Sequence, residues 1–284
     1  MSPARRAAGG FTLVELLVAM VISSLLAGVI FQLLSGQSRF VEVQGARGEA
    51  QGNARAVLEL ISAELRAVPR GGIESARRSA VTFWVPRVWG VVCAAPSSGE
   101  VSVALPAGLG FSTAGTNSEH AKPRLAMDTS DAVPPVADVS NITAPTADCS
   151  SPQGVEVRRF RVGDASLFPP ERVVYLHDRV WYELGTTSTA PGQWIRRRSG
   201  STSLAFQALA GPVRSETAPE PGLQFRYYTA SGVLLPLPTS GLSSDDLGAV
   251  ARVDVIVRSL SRKQLSGVPQ SATDSVTVFL RNRV

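Results

Sequence analysis

The apolar residues of the chain are most concentrated near its N-terminus. Residues 11–34 read FTLVELLVAMVISSLLAGVIFQLL and contain one ionisable side chain, Glu15. As a helix this stretch would be about 36 Å long, enough to cross a bilayer. From residue 37 to 68 apolar residues recur every three or four positions, and Pro69 ends the pattern. We therefore expect one helix over residues 11–68, apolar on all sides at first and amphipathic afterwards.

Downstream of residue 78 the pattern is that of β-strands. Segments rich in Val and aromatic residues lie at 80–93, 155–162, 172–184, 223–229, 251–260 and 274–282. We expect hairpin turns at His177–Asp178 and Ser231–Gly232. A segment at about 106–153, rich in Pro, Ser, Thr, Ala and Asp, predicts a long polar surface excursion. The predicted fold class is α+β, a long N-terminal helix packed on an antiparallel β-rich domain.

Composition and charge exclude two classes of protein. Hydrophobic residues make up 44% and charged residues 18% of the chain, which indicates a globular protein and not a disordered one. The formal net charge is +5 and becomes +3 if the segment with Arg5 and Arg6 is removed. Such a small net charge argues against nucleic acid or acidic lipid as the main partner.

Glu15 is the most informative residue of the apolar segment. A carboxylate inside hydrocarbon costs about 2.5–3.5 kcal/mol on insertion scales, so it needs a partner. A secretory signal has a shorter apolar core, and a plain signal anchor explains the length and basic flank but not this acid. Cleavage between Gly10 and Phe11 would create an α-amine that the Glu15 carboxylate of a neighbouring subunit could pair with. Arg5 and Arg6 place the N-terminus in the cytoplasm by the positive-inside rule.

The segment GGFTLVELLVAM, residues 9–20, resembles the class III signal of type IV prepilins and type II secretion pseudopilins. The resemblance implies that a prepilin peptidase cleaves after Gly10 and methylates Phe11, and that Glu15 serves assembly. It implies a pilin-like fold without cofactors. It also implies four partners: other pilins or pseudopilins, the prepilin peptidase, the inner-membrane assembly platform, and membrane lipid before assembly.

The resemblance divides the chain into four segments. These are a cleaved leader at 1–10, a transmembrane or filament-core helix at 11–34, an amphipathic continuation at 35–70 and a β-rich globular domain at 71–284. Segments at 48–68, 173–184, 223–232 and 278–282 are similar to those of PilW- and PulJ-like minor pilins. The implied function is that of a minor pilin or minor pseudopilin, at the filament tip or priming assembly. A type II secretion pseudopilus is the alternative to a type IV pilus, and the sequence alone does not separate the two.

The implied location is the inner membrane, crossed once, with the C-terminal domain outside the cytoplasm before the subunit enters a filament. Export favours a disulfide between Cys93 and Cys149, the only two cysteines. The alternative is two unrelated buried thiols. Two thiols without a nearby His are too few ligands for a zinc site.

No pattern in the sequence predicts a metal site or catalysis. His120 lies in the polar excursion and His177 at the expected turn, where both would be solvated. Asp245 and Asp246 fit a helix start better than a calcium site, which needs six or more oxygen ligands. No phosphate loop, nucleophile elbow or zinc-protease motif is present. The sequence therefore predicts a structural protein and not an enzyme.

Two basic runs leave a different class open, a membrane-anchored module that binds DNA or a surface. They are Arg158, Arg159 and Arg161, and Arg196 to Arg198. Arg159 and Arg161 would share one face of a strand. Only Trp194 accompanies the triple arginine, so stacking of bases has little support. We expect both runs to form solvated faces that pair with nearby acids, and do not expect nucleic acid as a partner.

Overall fold

The fold is taken from a computed structural model of the chain. The structure describes residues 12–69, 71–97, 99–106, 123–127, 136–145, 149, 155–188, 191–200, 204–265 and 267–280. The predicted leader with Gly10, the predicted methylation site Phe11, and His120 lie outside the described residues.

One long helix, α1 (Leu13–Arg66), begins the described part of the chain. It has 54 residues and is about 81 Å long. Almost all of its surface is exposed as far as residue 42, and one face is buried from Ala46 onwards. The predicted long helix is confirmed, with its ends two residues inside the expected bounds.

The rest of the described chain is built mainly of strands. A six-residue helix, α2 (Ser244–Ala249), and one 3-10 turn (Ala165–Leu167) interrupt them. The strands are β1 (Ile73–Ala76), β2 (Ala80–Ser97), β3 (Glu100–Pro106), β4 (Arg124–Met127), β5 (Val136–Asp138), β6 (Asn141–Pro145), β7 (Val155–Arg161), β8 (Val173–Thr186), β9 (Gln193–Ser199), β10 (Gln207–Val213), β11 (Leu223–Tyr228), β12 (Arg252–Leu265) and β13 (Val268–Phe279).

These strands form one antiparallel sheet. Its main order is β11-β12-β10-β9-β8-β2-β3-β7-β6, with β1 on β2, β13 on β12, β4 on β8 and β5 on β4. The close approach of β3 to β2 requires a glycine at position 90, because a Cβ there would lie 2.6 Å from Val103 Cγ1 and 2.7 Å from the Ala104 carbonyl oxygen. A long helix on an antiparallel sheet confirms the predicted α+β class.

Two hydrophobic cores lie along the sheet. The first lies between α1 and the strands, where Ala50, Ala54 and Ile61 are fully buried. The small alanines let the helix backbone approach β12, and the Ser259 hydroxyl donates a hydrogen bond to the Ala50 carbonyl at 2.5 Å. The second core surrounds Phe160 and Phe168 at the end of the sheet remote from α1.

The expected turn at His177–Asp178 is wrong. Strand β8 continues through both residues, because β2 pairs with it from Val173 to Glu183 and opposes His177 with Pro86. The alternation of β8 continues as well, with Leu176 and Val180 buried on the same face. The turn at Ser231–Gly232 is confirmed, and the Gly232 N–H donates to the Thr229 carbonyl at 3.0 Å.

The expected excursion at about 106–153 is corrected for the part of it that the structure describes. Residues 124–127, 136–138 and 141–145 form three strands of the sheet. Leu125 is fully buried in the second core. These strands could not be recognised within a polar segment because each has only three to five residues, too few for an apolar pattern to be visible.

Candidate membrane anchor and assembly helix

The N-terminal half of α1 exposes an apolar surface on all sides. Between residues 13 and 34 its large side chains, among them Leu13, Leu25 and Phe31, are at least half exposed. By length and composition α1 is the one helix in the described residues that could cross a membrane. Because water does not favour so large an apolar surface, this half of α1 must be covered by lipid or by other helices.

Thr12 and Glu15 close the N-terminus of α1 as a capping box. The Thr12 hydroxyl accepts a hydrogen bond from the Glu15 N–H at 3.3 Å, and the Thr12 N–H donates to Glu15 Oε2 at 3.2 Å. Two N–H groups that a helix start leaves without partners are thereby satisfied. Glu15 therefore stabilises the helix start in addition to its predicted role in assembly. The T-x-x-E pattern of residues 12–15 was a usable sequence signal for this contact.

The other end of α1 is fixed to the sheet by a buried ionic network around Glu64. The Glu64 carboxylate accepts hydrogen bonds from Arg197 Nη2 at 2.6 Å, Arg87 Nη2 at 3.1 Å and the Tyr182 hydroxyl at 2.5 Å. Glu64 is 7% exposed. Its partners come from β9, β2 and β8, so the last turn of the helix is tied to three neighbouring strands at once.

The network sets the charges of its members. Burial opposes ionisation of Glu64, but hydrogen bonds from Arg197 and Tyr182 and the charges of Arg197 and Arg87 outweigh it and hold the pKa of Glu64 below its usual range. Burial raises the pKa of Asp178, whose carboxylate lies 3.5 Å from Arg87 Nε. Arg87 reaches both acids because it sits at a bulge in β2, where the β2–β8 register shifts.

Both basic runs pair with acids, as expected, but Arg197 does so in the buried Glu64 network and not on a solvated face. Arg159 Nη1 and Arg161 Nη2 lie 3.4 and 3.2 Å from the carboxylate of Glu100 on β3. Arg196 Nη2 lies 2.5 Å from Glu183, and Arg197 belongs to the Glu64 network. The contacts of Arg159, Arg161 and Arg196 support the interpretation as paired surface arginines over the alternative of a DNA-binding surface.

On the sheet face opposite α1, arginine and aromatic side chains alternate across the strands. The guanidinium carbon of Arg179 lies 4.6 Å from the Trp181 ring centroid, and that of Arg198 lies 4.4 Å from both Trp181 and Phe206. Arg124 stacks on Trp84 at 4.3 Å. This stacking leaves the two tryptophans less than a tenth exposed, so the arginines cover part of an apolar face.

A disulfide joins Cys93 on β2 to Cys149, with Cα atoms 6.0 Å apart and 56 residues of sequence separation. It closes the part of the chain that carries β3 to β6. In the chain-entropy model a ring of this size stabilises the folded state by about 4 kcal/mol.

We expect non-reducing peptide mapping of the exported protein to recover the peptides of Cys93 and Cys149 as one linked species. Reduction should lower the free energy of unfolding by about 4 kcal/mol in denaturant titration. Two free thiols in the exported protein would contradict this prediction.

His177 is a buried, neutral side chain and not the solvated turn residue that the sequence predicted. It is 5% exposed on β8, and its ring lies 6.4 Å from that of Tyr175. Burial lowers the pKa of His177 from 6.5 to about 4, although backbone contacts with Tyr175 and Arg124 act in the opposite direction. The unfolded chain thus binds a proton at this residue at a higher pH than the folded chain.

The free energy of unfolding should fall as the pH is lowered from 6.5 to about 4. The loss from His177 alone should approach about 3 kcal/mol at the lower limit, because protonation favours the unfolded chain throughout this window. Denaturant titrations of wild type and His177→Gln at several pH values should show this loss only in the wild type. Parallel pH curves for the two proteins would contradict the assignment.

The acidic pair Asp245–Asp246 lies in the first turn of α2. Ser243, and not Asp245, caps that helix, since its hydroxyl accepts a hydrogen bond from the Asp246 N–H at 3.2 Å. Among the residues that the structure describes, no group of three His, Cys, Asp or Glu side chains could hold a metal ion.

Comparison with known families bears on the N-terminal segment. Residues 5–31 match the family described as Prokaryotic N-terminal methylation motif. The chain carries this methylation motif. Together with the apolar helix, the match supports the type IV pilin and pseudopilin class. A search of curated proteins and of solved structures found no match.

The methylation motif ends at residue 31, inside the apolar half of α1. It implies processing by a prepilin peptidase and assembly with other pilins. The motif and the exposed apolar helix together support anchoring of the chain in a membrane. The more specific similarity to PilW- and PulJ-like minor pilins stays a prediction.

Proposed function

We propose that the chain is a structural subunit, a minor pilin or minor pseudopilin, that is cut after Gly10, methylated on Phe11 and assembled into a pilus-type filament. The observation that carries this proposal is the methylation motif on a helix of two halves. The first half exposes apolar side chains all round, and the second half is buried against the domain. A membrane and a filament core are both suited to cover the first half.

The orientation in the membrane follows from the flanking charges. Arg5 and Arg6 would remain in the cytoplasm with the leader, so the β-rich domain would lie outside it as a single-pass inner-membrane protein. The peptidase would then act at Gly10 on the cytoplasmic side. Force on the filament core would be transmitted to the domain through α1, because the Glu64 network holds the last turn of this helix to the sheet.

Glu15 would change partners on assembly. In the isolated chain its carboxylate accepts hydrogen bonds from the N–H and hydroxyl of Thr12. In a bundle of staggered helices, the same carboxylate would pair with the α-amine that cleavage creates at Phe11 of a neighbouring subunit. The two charges would then neutralise each other within the apolar core, and the pair would set the axial register of the two helices.

The size of the domain supports a minor role. A domain of about two hundred residues is bulky for a subunit that repeats along a tight helix, so the chain suits the tip of a filament or the priming of assembly. The partners in this proposal are other pilins or pseudopilins and the inner-membrane assembly platform. The proposal covers a type IV pilus and a type II secretion pseudopilus alike.

Processing tests the proposal directly. Replacement of Gly10 by Val should leave the leader attached, because a residue without a side chain fits an extended conformation in a narrow protease cleft. Gly9→Val, one residue earlier, is the matched control and should still be cleaved. Intact mass spectrometry of the wild type should show an N-terminus at Phe11 with one added methyl group. A wild-type N-terminus at Met1, in cells with an active prepilin peptidase, would overturn the family assignment.

A further inference from the structure

The β12–β13 hairpin runs along α1 towards the apolar half of the helix. The closer a hairpin residue is to the tip, the nearer its helix partner is to the N-terminus of α1. In this order the contacts join Asp274 to Arg55 at 3.7 Å, Ser259 to Ala50 at 2.5 Å, Arg262 to Glu49 at 3.6 Å, Gln270 to Arg47 at 3.4 Å and Lys263 to Glu42 at 3.1 Å. The hairpin is therefore a side arm of the domain that points at the membrane.

The hairpin tip lies at the height where α1 leaves the membrane. Lys263 and Gln270 contact the helix between residues 42 and 47. Val268 is two strand residues nearer the tip than Gln270 and so lies about 7 Å closer to the membrane. This places it within one helical turn of the height of Phe40 on α1. Phe40 is about 9 Å beyond Leu34, the last residue of the apolar run. The polar headgroup layer is about 5–8 Å deep on each side of a bilayer, so the tip meets its outer boundary.

The side chains at this height suit a lipid surface. The region comprises helix residues 39–49 and hairpin residues 262–264 and 267–268. Arg262, Lys263 and Val268 are each three-fifths to two-thirds exposed, and Phe40 and Val41 are similarly exposed on the helix. The four bases Arg39, Arg47, Arg262 and Lys263 outnumber the acids Glu42 and Glu49, which leaves a local charge of +2. Long basic side chains beside exposed apolar ones are typical of a membrane interface.

We propose that the tip of the β12–β13 hairpin docks on the headgroups of anionic phospholipids before assembly. Arg262 and Lys263 exchange Glu49 and Glu42 for lipid phosphates, while Val268 and Phe40 lie at the outer boundary of the headgroup layer. This local contact does not depend on the small net charge of the chain. It holds the domain in one orientation above the bilayer, with a defined side of α1 free for an incoming subunit. The inference rests on the membrane anchoring of α1 and not on filament assembly.

A depth measurement on the full mature chain in nanodiscs tests this. With Cys93 and Cys149 joined in the disulfide, Gln264→Cys supplies a single reactive thiol at the tip for a fluorophore. Ser231→Cys, at the turn after β11, supplies one at the opposite end of the domain. Lipids with a nitroxide on the headgroup should quench the Gln264 label at least twofold more than the Ser231 label in discs containing phosphatidylglycerol. In discs of phosphatidylcholine alone this difference should shrink.

Charge reversal separates docking from anchoring. Arg262→Glu with Lys263→Glu should abolish the excess quenching at the tip, whereas Arg172→Glu with Arg226→Glu, an equal charge change remote from the tip, should preserve it. Equal quenching with and without phosphatidylglycerol, or no effect of the tip variant, would overturn the proposal. A change in the fluorescence of the Gln264 label that occurs only when partner pilins are added would show that the tip is a subunit interface instead. Failure of the chain to isolate with the discs would count against the anchor itself.

Discussion

Glu15→Gln is expected to be cleaved, to insert into the membrane and then to be excluded from filaments. Cleavage should proceed because the Gly10–Phe11 junction is unchanged, and insertion should be eased by the loss of a charge. Assembly should fail because the α-amine of a neighbouring Phe11 would remain buried without a counter-charge, which costs several kcal/mol. A cost of that size corresponds to at least a tenfold loss of partner pilins recovered with the variant.

The capping box makes this experiment more specific. Gln replaces Glu in a capping box without loss of the hydrogen bond to the N-cap residue, so Glu15→Gln removes the charge and keeps the helix start. Thr12→Ala does the reverse, because it removes the hydroxyl that accepts from the Glu15 N–H and leaves the carboxylate in place. The loss of that cap should cost about 1 kcal/mol of helix stability. A pair of variants thus separates the two roles of one side chain.

The measurement is a pull-down of partner pilins with wild type, Glu15→Gln and Thr12→Ala, at matched membrane levels and after mass spectrometry has verified cleavage. The charge-pairing role requires a strong loss for Glu15→Gln and near-normal recovery for Thr12→Ala. Equal losses for both variants would assign the effect to the helix start. Normal recovery of Glu15→Gln would leave the carboxylate as a recognition element for the peptidase or the membrane machinery.

The sequence predicted the long-range plan of this protein better than its local contacts. The α1 helix was predictable because an unbroken apolar run is followed by a 3.6-residue period over about nine turns, and the methylation motif lies at its start. The long strands β2 and β12 were predictable because each has enough residues for its composition to be distinctive, whereas β8 was expected to be two strands joined by a turn. Short strands such as β5, with three residues, carry no such signal and depend on neighbours that are distant in sequence.

The error at His177–Asp178 has a physical cause. Two polar residues between apolar ones suggest a turn when the partners are unknown. In the folded chain His177 is covered on the face remote from α1, and Asp178 points to the helix side, where Arg87 meets it. The arginine that offsets the buried acid is ninety-one residues earlier in the chain and reaches it only because β2 bulges at that point. Pairings across such distances are set by the tertiary fold and leave no local pattern.

Glu64 was also missed, although the sequence held a clue. It lies three residues after Ile61 and directly before Leu65, on the face of α1 whose apolar positions predict burial. An acid at an inward position of an amphipathic helix needs a buried basic partner. That partner, Arg197, is the middle residue of the basic run 196–198, which suggested a solvated or DNA-binding face. Its neighbours Arg196 and Arg198 do lie on that outer face, because alternate residues of a strand point in opposite directions.

Glu64→Ala should have the largest effect on stability of the single substitutions proposed for this domain. Glu64→Ala leaves the Arg197 guanidinium buried without its carboxylate and leaves the Tyr182 hydroxyl without an acceptor. Loss of one partner from a buried ion pair costs about 3–5 kcal/mol. For a domain of this size, that loss should lower Tm by about 10 °C in thermal unfolding of the full chain in detergent.

Two controls assign the effect to the charge at this position. Glu59→Ala removes an exposed acid from the same helix, one turn earlier, and should change Tm by less than about 2 °C. Glu64→Gln keeps the size and a hydrogen-bond acceptor but not the charge, so its loss should fall between those of Glu59→Ala and Glu64→Ala. An effect of Glu64→Ala no larger than that of Glu59→Ala would show that the network does not hold α1 to the sheet.

The pH dependence gives an independent check on the same residue. The pKa of Glu64 is lower in the folded chain than in the unfolded chain, so its stabilising contribution is complete above the ordinary range of a glutamate and is lost as the pH falls through the folded pKa. Glu64→Gln cannot titrate and lacks this loss. The difference in Tm between wild type and Glu64→Gln should therefore narrow as the pH is lowered into the acidic range. A difference that stays constant with pH would mean that shape and not charge holds the last turn of α1 in place.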